Sequence, residues 1–180
     1  MDDIDRQILA LLQADAHLPV SEVASKVGLS STPCWKRIQK LKEDGVILKQ
    51  VVLCDPEKLD LGTTVFVEVS TDQHNEGWLK KFANAVQAIP EIVEVYRMSG
   101  DVDYLLRVVV RDIKGYDAVY KRLIHACKLN DVSSSFAMER IKYSTALPVG
   151  PRSVDLVATK WTGEDLAPAG RSRRPRTASS

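Results

Sequence analysis

Apolar residues recur at Ile4, Ile8, Leu11 and Leu12, a stripe that predicts an amphipathic helix over residues 2–15. Asp2 and Asp3 stand at its start, where carboxylates cap free N–H groups and favour the helix dipole. Pro19 can open a second helix, since its missing N–H is not needed in the first turn. Val20, Val23, Ala24 and Val27 share its inner face, and Gly28 stops it. Ser30 is a good N-cap for a third helix over about 31–44, which Asp44-Gly45 ends. Cys34, Ile38 and Leu41 then fall on one inward stripe.

Beyond residue 45 the period changes. Val46 to Cys54 is rich in β-branched residues and predicts a strand, one half of a wing. D-P-E-K-L-D-L-G, residues 55–62, reads as a turn-rich connection. Strands are predicted over Thr64–Ser70, Ile92–Met98, Tyr104–Val110 and Val132–Ala146. Between them lie two helical stripes, one of Trp78, Leu79, Phe82, Ala85, Val86 and Ile89, the other of Tyr116, Val119, Tyr120, Leu123 and Ile124. The order β-α-β-β-α-β is that of a ferredoxin-like domain, two helices on one face of an antiparallel sheet, so the fold class is α+β. One sheet face is left without helices. Val65, Val67, Val69, Leu106, Val108 and Val110 are expected to be covered by a second copy, in a symmetric dimer.

These elements divide the chain into a DNA-binding unit at 1–54, a linker at 55–63, a ferredoxin-like domain at 64–150 and an extension at 151–180. In the extension V-D-L-V-A-T-K-W offers a weak packing segment, and G-R-S-R-R-P-R-T-A-S-S reads as a disordered tail. The 44% apolar content suits a globular chain of 180 residues, and a net charge of +1 requires any polyanion-binding surface to arise from local clustering. The acidic start, M-D-D-I-D-R, is unlike an export signal, and no apolar run is long enough for a membrane, so the expected location is cytoplasmic. Cys34, Cys54 and Cys127 have no C-x-x-C spacing and read as buried free thiols.

Residues 30–45, S-S-T-P-C-W-K-R-I-Q-K-L-K-E-D-G, concentrate charge on one helix. With Cys34 turned inward, Lys36, Arg37, Lys40 and Lys42 can neutralise phosphates. Thr32, Arg37 and Gln39 carry groups that match base edges, and Ser30, Ser31 and Thr32 add hydroxyls and free N–H groups at the helix start. Trp35 lies on the flank, against the wing or a DNA sugar. A basic face on an ordinary bundle is the plainer reading of such a helix. The compact order helix, helix, turn, helix, strand points instead to double-stranded DNA.

Four stretches, I-D-R-Q-I-L-A-L-L-Q, V-G-L-S-S-T-P-C-W-K-R-I-Q-K-L-K-E-D-G-V-I, D-P-E-K-L-D-L-G and S-G-D-V-D-Y-L-L-R-V, resemble in this order the Lrp/AsnC (feast/famine) family of bacterial regulators. The likeness runs from Ile4 to about Pro148. It implies a winged helix-turn-helix, then a ferredoxin-like domain that binds amino acids and assembles homodimers into tetramers or octamers. Carried over, the helix from Ser31 is the recognition helix and S-G-D-V-D is the effector-binding turn. Backbone N–H groups at Ser99 and Gly100 would hold an α-carboxylate, and Asp101 or Asp103 an α-ammonium. From spacing alone this is a hairpin turn with solvated aspartates. Tyr104, Ser133 and Ser135 are further effector candidates. Within the family, T-P-C-W-K-R, L-C-D-P-E-K and S-S-F-A-M-E-R-I-K-Y-S-T-A-L-P-V look closest to cysteine-responsive members, which implies cysteine or a related small amino acid.

The competing functional reading is an architectural DNA-compacting protein without an effector. An enzyme is not expected: there is no phosphate loop, G-x-S-x-G or metal-ligand cluster, and His17, His74 and His125 are isolated. No cofactor is expected.

Overall fold

The structure, a computed structural model, describes residues 1–73 and 75–150. The packing segment and basic tail read in the extension, and His74, lie outside the described residues. The described chain forms two compact units, Met1–Lys49 together with the segment from Ser144, and Gln50–Tyr143.

The first unit holds α1 (Asp3–Ala14), α2 (Val20–Lys26) and α3 (Ser31–Glu43). Asp2 caps α1 in a reciprocal box: Asp5 N donates to Asp2 Oδ1 at 2.9 Å and Asp2 N donates to Asp5 Oδ2 at 2.9 Å. Pro19 is the cap of α2, one residue earlier than a first-turn position. Gly28 and Gly45, both at φ +70°, end α2 and α3 in the left-handed conformation that a side chain disfavours. Leu29 N bonds Ala24 O at 2.8 Å and Val46 N bonds Leu41 O at 2.9 Å, closing the last turns. Ile8, Val23, Ala24, Cys34, Ile38 and Leu41 make the core where the three helices meet.

The segment from Ser144 belongs to this helical unit. Gln13 Nε2 donates to Leu147 O at 3.1 Å while Leu147 N donates to Gln13 Oε1 at 2.7 Å. Arg6 Nη1 donates to Val149 O at 3.3 Å, and Val149 packs on the helical core.

The second unit is a four-stranded antiparallel sheet of β1 (Thr63–Ser70), β2 (Ile92–Arg97), β3 (Tyr104–Val110) and β4 (Asp131–Phe136), in the order β2-β3-β1-β4. Helices α4 (Glu76–Gln87) and α5 (Ile113–Ala126) complete a ferredoxin-like α+β domain. Asn75 and Asp112 cap them, accepting from Trp78 N and Gly115 N. Trp78, Phe82, Tyr116, Val119 and Leu123 bring their inner faces onto the sheet.

Several expectations are corrected here. Val65, Val67, Val69, Leu106, Val108 and Val110 lie under the helices, in the core, and not on the uncovered face. Side chains alternate along a strand, so the other face presents Phe66 and Glu68 of β1 and, from β3, Leu105, Arg107 and Val109. Val46–Cys54 forms no strand: Leu48 and Val52 are 86% and 80% exposed. β-branched composition favours extended backbone, but a strand also needs a neighbour to take its N–H and C=O groups. β4 ends at Phe136, not at Ala146, because Phe136 pairs with Val65 and Ala137 N bonds Thr64 O at 2.9 Å, next to the first residue of β1. Beyond it the partner strand has run out. Leu79 and Ile124 are partly exposed at the edges of their helical stripes. Cys34 and Cys127 are buried, their thiol pKa values raised by burial, whereas Cys54 is exposed.

Candidate functional site

Helix α3 is positioned from beneath by Cys34, Ile38 and Leu41 and stopped at both ends by the left-handed glycines. Its outer face is therefore a rigid platform. Ser30 caps the helix through its backbone, with Ser30 O accepting from Cys34 N at 3.2 Å and no bond from its hydroxyl into the first turn. Ser30, Ser31 and Thr32 are all exposed. Lys36, Lys40 and Lys42 are exposed too, and among the described residues none of them forms an ion pair. Gln39 is half-buried, and Trp35 stands 51% exposed on the flank. The face can neutralise phosphates and present polar groups to base edges.

Arg37 behaves differently. Its Nη1 donates to Asp2 Oδ2 at 2.7 Å and to Asp5 Oδ1 at 2.8 Å, and its side chain is 32% exposed. The bond to Asp5, then that to Asp2, raises the guanidinium pKa further. The Asp2 carboxyl is held below the ordinary carboxylate range by the Asp5 N–H and then by Arg37.

In the second unit, the S-G-D-V-D stretch joins β2 to β3. Met98 N donates to Asp103 O at 2.8 Å, closing the turn, and Gly100 sits at φ +113°. Nothing lies within 4 Å of where a Cβ on Gly100 would be, so its neighbours leave space above the backbone. Ser99 and Asp101 are exposed. Asp103 is half-buried and engaged: its Oδ2 accepts from Thr71 N at 2.8 Å, and its own N–H donates to Val69 O at 3.1 Å. Ser70 Oγ donates to Asp101 O at 3.3 Å. Ser70 and Thr71 thus belong to this loop cluster, although nothing in their sequence neighbourhood marks them; only the sheet register brings them there.

Tyr104 is drawn into the core. Its ring centroid lies 4.6 Å from that of Phe82 and 5.7 Å from that of Trp78. Ser133 and Ser135 are exposed and pair across the sheet with Glu68 and Phe66. Ser133 is therefore two β1 positions from Ser70, a separation of about 7 Å along the strand. Ser135 is displaced about as far again. The loop residues form one cluster, and the serines lie progressively along the sheet away from it.

Among the described residues, no group of His, Cys, Asp and Glu side chains could hold a metal ion. No described helix is long and apolar enough to cross a membrane.

Comparison with known proteins places these features. Residues 1–42 match the AsnC-type helix-turn-helix domain, and residues 64–147 match the Lrp/AsnC ligand binding domain. Over 150 residues the chain is 49% identical to the DNA-binding transcriptional activator DecR of Escherichia coli K12, covering 83% of this chain and 99% of that one. An AsnC family transcriptional regulator from Agrobacterium tumefaciens has a similar crystal structure, with a TM-score of 0.80, 59% identity, and coverage of 83% of this chain and 97% of the other. A transcriptional regulator from Neisseria meningitidis, solved as a complex with L-Met, aligns with a TM-score of 0.78 at 31% identity, again covering 83% and 97%. The helix-turn-helix with its basic third helix and the ferredoxin-like unit behind it are thus those of a known kind of regulator: the chain belongs to the Lrp/AsnC family and is a DNA-binding transcriptional regulator of that type.

Proposed function

We propose that this regulator senses a small amino acid at the Ser99–Asp103 loop and reads DNA with the outer face of α3. One observation carries the DNA half: the basic side chains Lys36, Lys40 and Lys42 stand unpaired on a helix whose opposite face is locked into a core. Counterion release then supplies affinity, while Thr32, Gln39 and the start of the helix supply register and base contacts. Trp35 contributes an apolar flank to a sugar.

The effector half rests on the loop. Backbone N–H groups beside Gly100 are approachable, and Asp101 is the acidic side chain left exposed to meet an α-ammonium. Cysteine or a related small amino acid is the proposed effector, supported by the likeness to DecR, and the L-Met complex of the Neisseria regulator shows that a relative takes an amino acid. The coupling needed is modest, about 1–3 kcal/mol between effector and DNA sites. Homodimers are proposed to form through the uncovered sheet face, where Phe66, Leu105 and Val109 are apolar, and then to assemble into tetramers or octamers. A thermal-shift screen of the twenty amino acids tests the sensing half. Cysteine or a near relative should raise the midpoint, and no shift with any amino acid would remove it.

A further inference from the structure

The geometry points to Arg37, with Asp2 and Asp5, as a positioning cluster that sets the docking angle of α3, and not as a DNA contact. The inference rests on the reading of α3 as the DNA-facing helix. Position on the wheel puts Arg37 near that face, and its chemistry suits phosphate or guanine. What surrounds it does not. One guanidinium nitrogen bridges two carboxylates at 2.7 and 2.8 Å, so the cluster carries two negative charges against one positive. A phosphate arriving there would meet a net negative site, whereas at Lys36 or Lys40 it meets uncompensated cations.

The two carboxylates are themselves fixed. Each accepts from the other residue's backbone N–H in the capping box of α1, at 2.9 Å in both cases. Arg37 is therefore tied to the rigid start of one helix from the middle of another, 35 and 32 residues away in sequence. Such a tie resists rotation of α3 about its own axis and tilting against α1, the movements that would aim Lys36 and Lys40 away from a groove. The apolar contacts of Ile38 and Leu41 resist separation of the helices, but they are less directional.

This assignment reverses the sign of a simple electrostatic expectation. Removing a carboxylate next to a polyanion should strengthen binding. If Arg37 positions the helix, Asp2→Asn and Asp5→Asn should each weaken it. Both substitutions are mild to the fold, because Asn caps a helix about as well as Asp and its amide oxygen can still accept in the box.

The test uses fluorescence anisotropy of the full chain with a labelled duplex, enriched from a random library by the wild-type protein, across a salt series. Circular dichroism checks that helix content and melting are retained. The expected result is a loss of affinity on the order of tenfold for Asp5→Asn and less for Asp2→Asn. Arg37→Gln should also weaken binding while keeping the wild-type salt slope, and each variant should lose more on the enriched duplex than on a random one. Unchanged or tighter binding by both Asn variants would overturn the proposal. So would a slope for Arg37→Gln smaller by about 0.9, the signature of one lost phosphate contact. If Asp5→Asn unfolds, Asp2→Asn and the Arg37→Gln slope decide alone. Unchanged binding by a Lys36→Ala/Lys40→Ala double variant would instead bring down the reading of α3, and this proposal with it.

Discussion

The α3 face and the Ser99–Asp103 loop are both polar surfaces, but they differ in what their side chains already do. On α3 the helix is held from below by Cys34, Ile38 and Leu41, and the lysines above have no ion-pair partner among the described residues. On the loop, Asp103 holds the Thr71 N–H, Tyr104 packs against Phe82, and Ser70 bonds the Asp101 carbonyl. One site separates scaffold from function residue by residue. In the other, the same residues do both. Variants on α3 should therefore change binding without changing stability, while variants in the loop should change both.

The largest effect expected is on DNA affinity. Lys36→Ala/Lys40→Ala should weaken duplex binding about ten- to hundredfold in a mobility-shift assay. Its melting midpoint should stay at the wild-type value, within the roughly 0.5 kcal/mol usual for surface substitutions. Asp103→Ala should show the opposite pattern. It leaves the half-buried Thr71 N–H without its acceptor and should cost about 1–3 kcal/mol in urea unfolding, along with the amino-acid response. Calorimetry showing normal effector binding by that variant would remove Asp103 from the sensing loop. Gly100→Ala should follow, at about 1 kcal/mol, because φ +113° is a conformation that L side chains rarely adopt. Open space around Gly100 makes this a backbone effect, free of any clash.

The smallest effect lies on the uncovered sheet face. Glu94 accepts from Arg107 Nε at 2.9 Å and also from Tyr96, and the Arg107 bond first of all holds its carboxyl below the usual range. A depressed folded pKa contributes stability above the unfolded value, which is lost as pH falls through the folded one. Glu94→Gln should therefore flatten the acid limb of the stability curve below about pH 4.5. The pair is partly exposed, so the change at neutral pH should stay under about 1 kcal/mol.

Much of this was legible in the chain. Periodicity located the helices of both units, and the inward turn of Cys34 follows from its i, i+4, i+7 spacing with Ile38 and Leu41. The order β-α-β-β-α-β was readable from alternation and turn chemistry. What was hidden is non-local. No local rule links Arg37 to Asp2 and Asp5, or Asp103 to Thr71, because those bonds exist only once separate elements have packed. Alternation grouped Val65, Val67 and Val69 on one face, but it does not say which face the helices take. Composition was misleading at Val46–Cys54, where β-branched residues lack a neighbouring strand.

The division of labour between the two sites is tested most directly by one salt titration. Duplex affinity of the wild-type chain and of Lys36→Ala/Lys40→Ala is measured by anisotropy between 50 and 200 mM salt, the interval over which phosphate contacts register clearly. With the same protein, the amino-acid-induced rise in melting midpoint is recorded. Loss of two phosphate contacts per chain predicts a slope of log affinity against log salt shallower by about 2 for each chain engaged, with the rise in midpoint unchanged. An unchanged slope would contradict the assignment of α3 as the DNA-facing helix.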